Sequence, residues 1–181
     1  MGKKHFVPRF TADFETTTDD DDCRVWAWSI CSIDEKFEFS YGNNISTIFD
    51  FFQSHGNAKY YWHNLKFDAS FLVDYMFKQG FTYNDDKEHP RPHTFSTLIS
   101  SMGSWFCVDI WLDRDERGKL RHGQMIDSLK ILNFSVAQVA KDFNLPISKL
   151  ELDYREKREI GHILTPHEID YIRNDVEIMA R

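Results

Sequence analysis

The chain is poor in cysteine, in net basic charge and in long apolar runs. Cys23, Cys31 and Cys107 are an odd number with no C-x-x-C pair. That argues against a disulfide framework or a zinc knuckle, and for a reducing compartment. The 22 Lys and Arg are outnumbered by 29 Asp and Glu, for a formal net charge of −7. This balance argues against a generic basic nucleic-acid binder, but not against an enzyme whose acidic site is neutralised by metal. No stretch approaches the roughly 20 apolar residues of a membrane span. Met1-Gly2-Lys3-Lys4 lacks the apolar run of a secretory signal. An intracellular protein with no membrane partner is expected. There is no internal repeat, low-complexity tract or interdomain linker, so residues 1–181 are expected to form one domain with a sizeable core.

What the sequence does have is aromatic bulk. Hydrophobic residues make up 41%, with 16 Phe and 5 Trp, so the chain should be globular. Thr11 to Thr18 (TADFETTT) reads as an early strand. Strand side chains alternate faces, so Asp13 and Glu15 share one side while Phe10, Ala12 and Phe14 take the other and can enter a core. Two converging carboxylates with nothing basic between them repel, and a divalent cation is one common remedy. An exposed strand face fits this stretch equally well. Asp19 to Asp22 reads as a solvated acidic turn. Arg24–Ile30 and Lys36–Tyr41 complete an antiparallel meander, with Trp26 and Trp28 as core aromatics.

Helical spacing follows at Ile45–Ser54, then a short strand at Lys59–Trp62 and a helix within Asn64–Gln79 that stops at Gly80. Phe81–Pro92 reads as a loop, because its prolines forbid a helix; His89 and His93 are read as structural or solvent-facing. Strands are expected at Thr94–Ser100, Trp105–Leu112 and Lys119–Ile126, and a helix at Ser135–Phe143. The last helix opens with a cap, Thr165-Pro166-His167-Glu168. Ile169, Ile172, Val176 and Met179 form its apolar stripe. Tyr171 and Asp175, four apart, share one face, either as an exposed pair or as two arms of a common site. Asp68 sits near the start of the middle helix, where the dipole favours a carboxylate. Phe67 and Phe71 are four apart and fit either a core or a wedge against bases. Strands first and helices interleaved later predict an α/β domain around a central mixed sheet.

Asp13-x-Glu15, Asn64-x3-Asp68 and Tyr171-x3-Asp175, in this order, resemble the three motifs of the DEDDy 3′–5′ exonucleases. The strings DFETTT, HNLKFD, DSLK, AKDF and YIRND resemble the proofreading exonuclease domain of protein-primed bacteriophage DNA polymerases of family B. The likeness runs from about residue 9 to the C-terminus and implies the ribonuclease H-like exonuclease fold. The sister DEDDh enzymes place a His five residues before the last Asp; that position is Asp170 here, and His167 is too far back to substitute.

The resemblance also implies a mechanism. Two divalent cations, Mg²⁺ or Mn²⁺, would serve phosphodiester hydrolysis. Asp13, Glu15 and Asp175 would hold one, Asp13 would bridge to the second, and Asp68 would support it. Tyr171 would orient the attacking water, and Lys149 would approach the scissile phosphate. A single-stranded DNA 3′ end would run past Thr16, Tyr61, His63, Asn64, Phe67, Phe71, Ser128, Leu129 and Tyr154, releasing nucleoside 5′-monophosphates. The implied partners are that strand and a DNA polymerase domain or other replication proteins, inside a phage-infected bacterial host. No polymerase carboxylate motif is found, so either an excised exonuclease domain or a natural stand-alone protein is expected. An exonuclease acting on RNA and a non-catalytic single-strand or replication-partner binding module are the alternatives.

Overall fold

The computed structural model describes residues 6–19 and 21–181. Met1–Lys4 and Asp20, the latter within the expected acidic turn, lie outside the described residues. Its strands are β1 (Arg9–Thr16), β2 (Val25–Ser32), β3 (Phe39–Gly42), β4 (Ala58–Trp62), β5 (Thr82–Tyr83), β6 (Thr94–Ile99), β7 (Trp105–Arg114) and β8 (Leu120–Asp127). Its helices are α1 (Ile45–His55), α2 (Leu65–Lys78), α3 (Val136–Asp142) and α4 (Pro166–Ala180). The strands form one eight-stranded mixed sheet in the order β3-β2-β1-β4-β8-β7-β6-β5. This is the α/β class with a central mixed sheet that the sequence predicts. Among the described residues, no helix is long and apolar enough to cross a membrane.

β1 is covered on both faces. On one, Phe10 stacks on Tyr60 at 5.4 Å between ring centroids, and Phe14 meets the edge of Trp62 at 4.8 Å. This face joins Ile48 and Phe52 of α1 and Leu65, Leu72 and Met76 of α2 in the main core. Across the sheet lies α4, where the Thr11 hydroxyl donates to the Val176 carbonyl at 2.7 Å. The face carrying Asp13 and Glu15 is therefore enclosed rather than washed by solvent.

β1, β4 and β8 run parallel to one another. Their C-terminal ends consequently share one edge of the sheet, the edge where open α/β sheets present ligands. Beyond those ends lie Thr16, His63-Asn64 and a 3₁₀ turn at Ser128–Lys130. That turn is absent from the sequence reading. Asp127 makes it, by accepting the Leu129 N–H at 3.0 Å.

Three local expectations need correction. Trp26 and Trp28 are both buried as expected, but in different clusters. Glu15 pairs with Ala27 while Thr16 pairs with Val25, so Trp26 is the extra residue of a β-bulge and turns towards α4. The third strand starts at Phe39 rather than Lys36. The Asp34 carboxylate accepts the Lys36 N–H at 2.9 Å and the Phe37 N–H at 3.2 Å, closing a turn with Phe37 at φ 49°. Within the expected loop 81–92, Thr82–Tyr83 pairs in parallel with β6. His89 and His93 are solvent-facing as read, and each pairs with an aspartate, Asp86 and Asp113.

α4 is better anchored than its apolar stripe predicts. Glu168 completes the capping box with Thr165, and it also lies on the buried face with Tyr171, Ile172, Asp175 and Val176. Its carboxylate accepts from Arg158 Nε at 2.7 Å and pairs with His162 at 2.8 Å. The Arg158 guanidinium lies over the Trp26 ring, 4.3 Å from its centroid. The irregular segment between α3 and α4 is thereby pinned to the sheet. Burial pushes the Glu168 carboxyl up, but the Thr165 N–H, His162 and Arg158 override that and hold it at about 2.

Because that value lies below the ordinary 4.5, the stabilisation is complete above about pH 4.5 and is lost as pH falls through about 2. Glu168→Gln should cost about 3 kcal/mol at pH 7, by leaving a buried guanidinium uncompensated. Denaturant unfolding of both proteins should show that gap closing between pH 4.5 and 2. A gap that stays constant through this window would contradict the assignment.

Candidate active site

β1 and α4 bring three carboxylates together. One oxygen from each of Asp13, Glu15 and Asp175 lies within 4.8 Å of the others. Strand alternation delivers Asp13 and Glu15; the buried seam of α4 delivers Asp175, one turn beyond Tyr171. Asp68, on the first turn of α2, joins from the sheet's other side and accepts the Phe14 N–H at 3.2 Å. That bond ties α2 to β1 between the two acidic residues.

The electrostatics are adverse. Burial raises the Asp13 carboxyl to about 7, assisted by Asp175 and opposed by Lys149 and the Phe14 N–H. Burial also pushes Glu15 well above its ordinary range, with Asp13 and Asp175 adding to it. Asp68 is raised well above normal by burial and then by Asp13. Asp175 is raised by burial, against Lys149. Lys149 pairs with Asp175 Oδ2, and Arg158 adds a weaker attraction on Glu15. Asp175 Oδ1 is buried without a hydrogen-bond partner. An orphaned carboxylate oxygen beside the half-buried Asp13 and the buried Glu15 suits a hard divalent cation, for which all-oxygen ligands are the preferred set. The residues present therefore fit a metal centre.

Tyr171 is only 1% exposed, and its hydroxyl shares a hydrogen bond with that of Tyr154. Burial, then Glu15 and Asp175, pushes the phenol far above its ordinary value, so it stays protonated at any working pH. The Lys149 ammonium lies 5.3 Å from the Tyr171 ring centroid. Burial works against the Lys149 charge, and Asp175 outweighs it, keeping the ammonium protonated. Both Lys149 and Tyr154 ride on the segment pinned by Arg158 and Glu168.

The predicted strand contacts fall into two groups. Tyr61, His63, Asn64, Ser128 and Leu129 gather at the ends of β4 and β8. There His63 Nδ1 lies 3.2 Å from the Ser128 hydroxyl, which donates to the Trp62 carbonyl at 3.1 Å. Thr16 ends β1. Phe67 is 48% exposed and meets the half-buried Phe71 edge-on at 5.4 Å. Phe71 packs against the core, as the core reading has it, while Phe67 faces solvent. A small cavity of about 150 Å³ joins Tyr61 and His63 to Asp13, Lys149 and Asp175.

Asp127, Arg158 and Glu168 are buried structural supports that sequence reasoning missed. Asp127 opens the DSLK string and had a signal, since Asp is a preferred cap. Arg158 had none, because nothing local distinguishes it from its charged neighbours.

A family described as DNA polymerase type B, organellar and viral, matches residues 52–181. The chain is 40% identical over 179 residues to the DNA polymerase of Bacillus phage phi29, covering 98% of this chain and 30% of that protein. Against the DNA polymerase of Bacillus phage M2, identity is 42% over 172 residues, or 95% and 29%. The DNA polymerase of Streptococcus phage Cp-1 is 30% identical over 185 residues, 95% of this chain and 29% of that one. The solved structure of phi29 DNA polymerase complexed with single-stranded DNA superposes with a TM-score of 0.88 at 37% identity, covering 97% and 30%. Its complex with primer-template DNA gives 0.87 at 36%. The chain thus spans about three tenths of the length of the polymerases it matches. The same fold, the sequence identity and a family match over most of its length place this chain in the organellar and viral type B DNA polymerase family.

Proposed function

We propose that this chain is a metal-dependent 3′–5′ exonuclease domain of the proofreading type. It removes nucleoside 5′-monophosphates from a single-stranded DNA 3′ end, in association with a polymerase, inside a phage-infected bacterium. The observation that carries this reading is the orphaned Asp175 Oδ1, buried beside Asp13 and Glu15 and one turn from a protonated Tyr171. Two divalent cations, Mg²⁺ or Mn²⁺, bound there would lower the pKa of a water and stabilise charge on the attacking and leaving oxygens.

The chain's own residues do the rest. Asp13, Glu15 and Asp175 would hold one ion, and Asp68 would support a second. The Tyr171 hydroxyl, with Tyr154 as its partner, orients the water by hydrogen bonding. It is not a base, since its proton stays on throughout. Lys149 sits beside Asp175 as a cation that can lean towards a scissile phosphate. Thr16, Asn64 and Ser128 offer polar groups to sugar and phosphate. Phe67 offers an open aromatic face to any base, and Tyr61, His63, Phe71 and Leu129 shape the path. Such a grip is tolerant of sequence, as editing requires.

Digestion of a 3′-labelled single-stranded oligodeoxynucleotide with Mn²⁺ should release mononucleotides from the labelled end. Asp13→Ala with Glu15→Ala should slow this by about a thousandfold, the loss of several kcal/mol of transition-state stabilisation. Equal degradation by parent and variant would sink the metal-site assignment. Strand binding without cleavage by the parent would favour a binding module, and an RNA strand run alongside reads the sugar preference.

Tyr171→Phe tests the water-orienting role separately. The rate at saturating strand should drop about tenfold to a hundredfold with KM unchanged. A variant altered only in KM would move Tyr171 from the reaction to substrate binding.

A further inference from the structure

One carboxylate oxygen ties together the two loops that carry the proposed strand contacts. Asp127 is the last residue of β8 and pairs in register with Trp62, the last of β4. It is 3% exposed. Its Oδ1 accepts two backbone N–H groups, from Leu129 at 3.0 Å and from Asn64 at 3.2 Å. The first shapes the turn that presents Ser128 and Leu129. The second reaches across the sheet edge to the residue that starts α2.

Asn64 is where this matters. It sits in the left-handed region, φ 73° and ψ 53°, a conformation unfavourable for a residue with a Cβ and best tolerated by Asn and Asp. Its side chain makes no capping bond to its own helix. A charge-assisted bond to the Asn64 N–H is worth about twice a neutral one and holds this backbone turn. The His63–Ser128 contact and the Ser128 bond to Trp62 complete the tie between the loops.

We propose that Asp127 is a positioning residue for the single-strand path: it sets the relative placement of Asn64 and Leu129, and through them substrate affinity, without entering the metal chemistry. Its carboxylate bridges two loops at the strand ends, whereas the acidic cluster is built from β1, α2 and α4. The inference rests on the exonuclease reading for the identity of the ligand as a strand, but the brace can be read independently of cleavage.

The test compares the parent chain with Asp127→Ala and Asp127→Asn. An asparagine oxygen can still accept both N–H bonds, so it is the conservative rescue. Three readouts are taken: anisotropy of a fluorescent single-stranded oligodeoxynucleotide in Ca²⁺, steady-state cleavage of that strand in Mn²⁺, and turnover of the p-nitrophenyl ester of thymidine 5′-monophosphate, too short to span both loops. Asp127→Ala should weaken strand binding and raise KM about tenfold, with kcat and ester turnover within about twofold. Asp127→Asn should recover most of the affinity. Parent-like strand affinity in Asp127→Ala overturns the proposal, as does an equal loss on strand and ester that Asn fails to rescue. A parent that binds strand but cleaves neither substrate defeats the exonuclease reading alone, since the Ala and Asn affinities still decide the brace. A parent that binds no strand overturns both.

Discussion

Repulsion among buried carboxylates is the constraint around which this domain is built. Asp13 and Glu15 project from one strand, Asp175 from the helix laid across it, and Asp68 from the helix beneath. Like charges about 4 Å apart repel by about 4 kcal/mol at an effective dielectric of about 20. Lys149 relieves only part of this, and among the described residues Asp175 Oδ1 meets no hydrogen-bond partner of good geometry. In the metal-free chain the raised Asp13 carboxyl favours the fold while protonated. That contribution is complete below its ordinary 3.8 and is lost as pH rises through about 7. A fold that keeps such a cluster at neutral pH is one arranged for a bound cation.

The remaining architecture holds that cluster in register with the loops at the sheet edge. β1, β4 and β8 end on one edge, and Asp127 ties the loops after β4 and β8 to each other. On the opposite side, Arg158 and Glu168 pin the segment that delivers Lys149 and Tyr154. The Trp26 bulge sits beside Glu15 and Thr16 and supplies the aromatic face on which Arg158 rests. Three devices from different parts of the chain thus converge on one small volume, and each acts on backbone or on a supporting side chain rather than on the carboxylate cluster itself.

Much of this was legible in the sequence, because the signals were local. Period-two alternation placed Asp13 and Glu15 on one face of a strand; a capping box and four-residue spacing placed Tyr171 and Asp175 on one edge of a helix. The order of motifs identified the family. What escaped were features that depend on partners distant in sequence. The Trp26 bulge follows from pairing with β1, so alternation within β2 alone sends Trp26 to the wrong cluster. Glu168 looks complete as a capping residue, and only the folded chain brings Arg158 and His162 to it. Phe67 and Phe71 share a spacing that fits either a core or a wedge against bases, and only packing shows that Phe71 joins the core while Phe67 does not.

The most direct test of the acidic cluster as a cation site is a carbon-13 NMR titration of the aspartate side-chain carboxyls. It is run on the metal-free chain and repeated with saturating Mg²⁺. The account predicts an Asp13 midpoint at about 7 without metal. That midpoint should fall to about 4 or lower when Mg²⁺ is bound, as the ion replaces the proton. Aspartate midpoints that all lie near 4 in both titrations would contradict it.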